Sequence, residues 1–241
     1  MKNTKRFFKL TFTSIMIGLM FAFSWTPLGM VPLVFTSATT IFLPVAIGII
    51  VLDDFRYTIA LGFGFGISSL IRALAPNGVL DPFFVNPLVS VLPRVIASIL
   101  THLCYRALGK IIKNNIVVSG ISGALMAFFN TLFTIPMLVL FIELLGEGTD
   151  TIGMTYLAFI VVILPSMLGE ILIGLVITSL VATALFAYSR RHKEKEEETN
   201  DEIEDNNLSK NETNAWLISS IFFMPSFFTG IYYWFMVYYI K

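Results

Sequence analysis

Apolar residues run in seven stretches along this chain, at 7–27, 41–52, 57–74, 88–108, 116–145, 156–188 and 216–239. A helix needs about 20 apolar residues to cross the hydrocarbon core of a bilayer, and every backbone polar group there must be paired internally. The second stretch is short for a full crossing, so it must borrow residues from the preceding loop or be shielded by its neighbours. The pattern predicts an all-α fold: a polytopic membrane bundle of six core transmembrane helices plus an extra C-terminal hydrophobic helix. Composition agrees, because 56% of the 241 residues are hydrophobic and 13% charged, where a soluble domain carries about a quarter charged residues.

The charges are placed unevenly. Lys2, Lys5, Arg6 and Lys9 precede or enter the first stretch, Arg106, Lys110 and Lys113 follow the fourth, and Arg190, Arg191, Lys193 and Lys195 follow the sixth. Six alternating spans put all three basic groups on one side, while the opposite connectors, around Asp81 and 143–150, are acidic or nearly neutral. By the positive-inside rule the N-terminus and the basic tail are expected in the cytoplasm. The first stretch is too long for a cleavable signal peptide and lacks a small-residue cleavage site, so it is expected to remain as a permanent span. Three parts follow: a six-helix membrane domain at 1–191, a charged cytoplasmic linker at 192–214, and a hydrophobic segment at 215–241. The last segment either crosses the bilayer or lies along its interface; its length favours crossing, while Pro225, Ser226 and Gly230 weigh against it.

Several function classes are disfavoured. Net charge is zero, so no basic field invites nucleic acid. Cys104 is the only cysteine and His102 and His192 the only histidines, which leaves no triad and no zinc site; the chain is not expected to be an enzyme or to carry a cofactor. Gly62, Gly64 and Gly66 lack the following Gly-Lys-Ser/Thr of a phosphate loop. Small residues instead recur at helical spacing: Ser14, Gly18 and Ala22 in the first span, Gly62 and Gly66 in the third, Gly120 with Ala124 and Gly123 with Ala127 in the fifth. Such stripes let helix backbones approach closely. Packing within the chain is the expectation for the third and fifth spans, whereas the first stripe serves equally well as packing or as a partner surface.

Ionisable and polar residues inside apolar spans are the sharper signal, because a charge there costs at least a few kcal/mol and normally faces a cavity, a partner or a ligand. Arg94 lies near the start of the fourth span, Asn130 near the middle of the fifth and Glu170 well inside the sixth. Arg94 and Glu170 form either an internal salt bridge or the lining of an outward-opening polar pocket, and the pocket is the favoured reading. Arg72 and Asp81 flank an outer loop, with Arg72 expected to snorkel to the interface. In that loop Pro76-Asn77-Gly78 reads as a turn, and Asn86 before Pro87 as a helix N-cap. Trp25, Phe35, Phe83 and Phe84 sit near the same mouth and are expected to form an interfacial belt, stacking of one or two rings on a bound organic molecule being the alternative.

Three stretches carry a family resemblance. They are 37–52, beginning Ser37-Ala38-Thr39-Thr40 and followed by the glycine-rich 60–71; 81–94, running from Asp81-Pro82 to Pro93-Arg94; and Asn130-Thr131 with Glu170. Over its first six spans the chain resembles the substrate-binding S components of energy-coupling factor (ECF) transporters, the prokaryotic vitamin importers, and most of all the pantothenate, riboflavin and cobalamin group. Leu43-Pro44, Asp53-Asp54-Phe55 and Ser166-Met167 depart from residues common in the family and bear on the identity of the vitamin. The resemblance implies a multi-pass protein of a prokaryotic plasma membrane that captures a micronutrient outside and docks on a T component carrying two ABC ATPase subunits. It makes Ser14, Gly18 and Ala22 the expected partner face. For pantothenate, the best-fitting cargo, it implies Arg94 on the carboxylate and Asn130 and Glu170 on hydroxyl or amide groups. Asn77, Asn86 and Thr134 complete the expected contacts. Riboflavin or cobalamin capture, or a stand-alone secondary transporter, are the competing expectations.

Overall fold

The computed structural model describes residues 2–32, 37–75, 81–144 and 156–203. The chain divides into two compact units, Met1–Ala187 and Tyr188–Lys241. The helices are α1 (Lys2–Ser24), α2 (Leu43–Leu52), α3 (Phe55–Ala73), α4 (Pro87–Ser90), α5 (Leu92–Ile111), α6 (Asn115–Leu144) and α7 (Tyr156–Ile203). Two three-residue strands, β1 (Met30–Pro32) and β2 (Ser37–Thr39), pair antiparallel between α1 and α2. A helix therefore lies at each of the first six apolar stretches. Among the described residues four segments, Thr4–Ser24, Pro87–Ile111, Asn115–Glu143 and Ile163–Arg191, are long and apolar enough to cross a membrane. The linker beyond residue 203, the seventh apolar stretch, Phe35 and the Pro76-Asn77-Gly78 turn lie outside the described residues.

Local chemistry places the boundaries. The Asp54 carboxylate accepts the Arg56 N–H and caps α3, the Asn86 side chain accepts the Leu88 N–H and caps α4, and Asn114 does the same for Ile116 at the start of α6. Pro44, Pro87 and Pro93 stand in the first turns of α2, α4 and α5, where proline's missing N–H has no helical acceptor to lose. Asp53 closes α2 in the left-handed region (φ 39°), its N–H donating to the Ile49 carbonyl.

At 1.5 Å per residue the ten residues of α2 extend about 15 Å, half the hydrocarbon thickness. The helix is viable because its neighbours shield it. Leu43, Val45, Ala46, Ile49 and Leu52 are buried in one core with Met20 of α1, Leu61 and Phe65 of α3, Ala97 of α5 and Met126 and Ala127 of α6. Glycines set the closest approaches. A Cβ on Gly62 would meet Val95 and Ser98 of α5, one on Gly66 would meet Val91, and one on Gly123 would meet Gly174 and Thr178 of α7. The stripes in the third and fifth spans thus serve packing within the chain. Several hydroxyls within the helices are satisfied locally: Thr13, Ser98, Thr101 and Ser122 each donate to the carbonyl four residues earlier. Outward, α7 exposes Leu164, Leu168, Leu172, Leu175 and Leu180. Such a continuous apolar face suits acyl chains.

A cation-bearing cavity between the helices

Helical spacing brings the site together. On α3, Phe65, Ser69, Arg72 and Ala73 share one face, and on α6 Asn130, Thr131, Thr134, Ile135 and Leu138 share another. With Arg94 of α5, Ile163 and Glu170 of α7, Phe84, and Thr39 and Ile41 at the end of β2, they line a cavity of about 260 Å³. All these residues belong to the unit Met1–Ala187.

Arg94 is 7% exposed. Its Nη1 donates to the Ser90 carbonyl at 2.6 Å and the Val89 carbonyl at 3.3 Å, both from α4. The guanidinium carbon lies 5.2 Å from the Phe65 ring centroid and 5.5 Å from that of Phe84. Two aromatic faces and two carbonyls thereby hold the cation in place. Its Nε is buried without a partner, and no carboxylate among the described residues lies within ion-pair distance. The salt bridge to Glu170 that the sequence allowed is not formed.

Glu170, 6% exposed, is engaged instead by threonines. Its Oε1 accepts the Thr39 N–H at 3.0 Å and the Thr39 hydroxyl at 2.8 Å, and its Oε2 accepts the Thr131 hydroxyl at 3.2 Å. Asn130 Oδ1 and Thr134 Oγ1 are buried without partners. The cavity therefore carries two guanidinium groups, Arg72 and Arg94, neither of them in an ion pair among the described residues, one carboxylate, Glu170, and two orphaned oxygens. Buried polar atoms of this kind are stable when something fills the space between them.

Of the expected contacts, Arg94, Asn130, Thr134 and Glu170 come together. Asn86 is not among the lining residues, because its side-chain oxygen is spent on capping α4. Asn77 lies outside the described residues. Arg72 lines the cavity, and its Nη1 donates to the Ala75 carbonyl at 2.6 Å beside the Trp25 ring, whose centroid lies 5.5 Å away. Thr39 and Phe65 were not singled out in the sequence. A threonine in a loop and a phenylalanine on an apolar helix carry no local sign that they converge on a charge.

A second polar group lies further along α5. Asp53 is 3.3 Å from Arg106 Nε and 3.6 Å from His102 Nε2, whose Nδ1 is 2.8 Å from the Thr58 hydroxyl. Lys9 Nζ is 2.9 Å from Asp54. These contacts tie α1 and α5 to the turn between α2 and α3. No cluster of three metal-ligating side chains occurs among the described residues. Ser14, Gly18 and Ala22 are all exposed, and a Cβ built on Gly18 meets nothing within 4 Å.

The chain matches no protein-family model and no curated protein. Fold and site define a helical protein with membrane-length apolar helices and, between its helices, a largely apolar cavity that carries Arg72, Arg94 and Glu170.

Proposed function

We propose that this chain is the substrate-binding S component of an ECF-type importer, capturing a small anionic vitamin, pantothenate in the first instance, at the outer face of a prokaryotic plasma membrane. The observation that carries this reading is Arg94: a buried guanidinium with no carboxylate in ion-pair contact among the described residues, fixed between Phe65 and Phe84 at a cavity that also holds the unpartnered oxygens of Asn130 and Thr134. A carboxylate on the ligand pairs with Arg94, where charge-assisted hydrogen bonds are strong. Ligand hydroxyl or amide hydrogens satisfy Asn130 and Thr134. Pantothenate offers these groups in one short molecule.

Size and ring chemistry favour it over the other vitamins of the group. A corrinoid is several times too large for about 260 Å³. A flavin asks for free aromatic faces, and the Phe65 and Phe84 rings already face the guanidinium. The exposed Ser14, Gly18 and Ala22 face is the proposed contact with the T component, and ATP hydrolysis belongs to the two ATPase subunits. The N-terminus is cytoplasmic by the distribution of Lys and Arg.

Isothermal titration of the detergent-purified protein with pantothenate tests the assignment. Saturable binding that is lost in Arg94→Ala supports it. Equal binding by Arg94→Ala and wild type removes Arg94 from the site, and no binding of pantothenate by wild type removes the vitamin.

A further inference from the structure

Glu170 lines the cavity, yet three of the roughly four hydrogen-bond positions of its carboxylate are filled by the protein itself. Two of the three donors are the N–H and the hydroxyl of one residue, Thr39, at the end of β2. The segment that follows is fixed from its other side: Thr40 donates its N–H to the Gly29 carbonyl and its hydroxyl to the Leu28 carbonyl, and Ile41 re-enters the cavity lining. The Thr131 hydroxyl joins the same carboxylate from α6.

We infer that Glu170 is a positioning residue, fastening the Thr39–Ile41 segment to α6 and α7 so that this segment forms one wall of the cavity. Its effect on ligand binding, which rests on the proposed role of the cavity, is exerted through Thr39. A carboxylate that reached the ligand directly would need its donors from the ligand, and here they come from β2. Removing the carboxylate lets the wall open, so bound ligand escapes faster while the encounter is little changed.

The test uses full-length protein in detergent, with hydrogen–deuterium exchange of the ligand-free state and pantothenate dissociation as readouts. In Glu170→Ala, exchange of the peptide spanning residues 38–43 rises while that of α5 is unchanged, and Glu170→Gln restores protection because its amide oxygen still accepts from Thr39. Glu170→Ala raises the pantothenate off-rate by about tenfold with an on-rate within about threefold, in line with the loss of hydrogen bonds to a charged acceptor. Thr39→Val, which keeps the N–H and removes the hydroxyl, gives a smaller rise, and it carries the test if Glu170→Ala does not fold. The double variant is no worse than Glu170→Ala alone, because both changes act on one connection. Unchanged exchange at 38–43 in Glu170→Ala, or off-rate effects of the two substitutions that multiply, overturns the inference. If wild type does not bind pantothenate, the proposed cargo fails while the ligand-free exchange comparison still decides the fastening.

Discussion

Arg94 concentrates the energetics of the site. A guanidinium taken out of water loses several kcal/mol of hydration, and here the return comes from the Ser90 and Val89 carbonyls and two ring faces. Among the described residues no carboxylate touches it, Glu170 acting on it only at longer range. A bound carboxylate would, and truncating one partner of a buried charge pair costs about 2–5 kcal/mol. Arg94→Ala is therefore predicted to weaken pantothenate binding at least about 30-fold, read by titration calorimetry. Arg94→Lys keeps the charge but loses the planar fork and should fall between the two. A different residue-scale prediction concerns acid. The Lys9 hydrogen bond, opposed by partial burial and helped by the Arg56 N–H, holds the Asp54 carboxyl below its usual 3.8. The folded-state pKa is the lower one, so the stabilisation is complete above the unfolded-state value and is lost as the pH falls through the folded-state value. Asp54→Asn keeps the cap and removes the charge. Thermal melts should show wild type more stable by at most about 1 kcal/mol at pH 6, the difference vanishing towards pH 3 and below.

Two glycines with the same sequence signature have opposite prospects at the level of helices. Gly123 faces the backbone of Gly174 across the α6–α7 contact, whereas a Cβ on Gly18 would meet nothing within 4 Å among the described residues. Gly123→Leu is predicted to destabilise the fold severely, because backbone cannot yield as a flexible side chain does. Its melting temperature or detergent yield should drop sharply. Gly18→Leu should melt like wild type and bind pantothenate normally, yet fail in uptake assays that need the T component and ATPases; normal uptake would remove the stripe from the partner face. Periodicity and length placed the helices from sequence alone, and the buried α2 was recognisable as too short to cross unaided. Arg94, Asn130 and Glu170 stood out because polar groups in apolar helices need a reason, whereas Thr134 came only with the family resemblance. Thr39, Phe65 and the lining role of Arg72 were not legible, since their parts depend on where the end of β2 and one face of α3 meet the charge. The capping duty of Asn86 was visible in Asn86-Pro87, but capping also occupies the oxygen that a ligand would need.

At the scale of the whole molecule, every described residue that lines the cavity lies within Met1–Ala187. Removing everything after Arg191 is accordingly predicted to leave pantothenate affinity unchanged, and a folded truncation that no longer binds would place the final segment in the site. Basic residues at the N-terminus, after α5 and along the far end of α7 predict one cytoplasmic side, which cysteine-labelling at the termini of those helices would read. The central claim, that the cavity is built for a small anionic nutrient held by Arg94, meets its most direct test in native mass spectrometry of the detergent-purified protein, wild type beside Arg94→Ala. One bound small molecule of the mass of pantothenate or a comparable carboxylate is expected in wild type and missing from the variant. A wild-type protein that arrives empty and stays empty across a vitamin panel, or a ligand retained equally by both proteins, would contradict it.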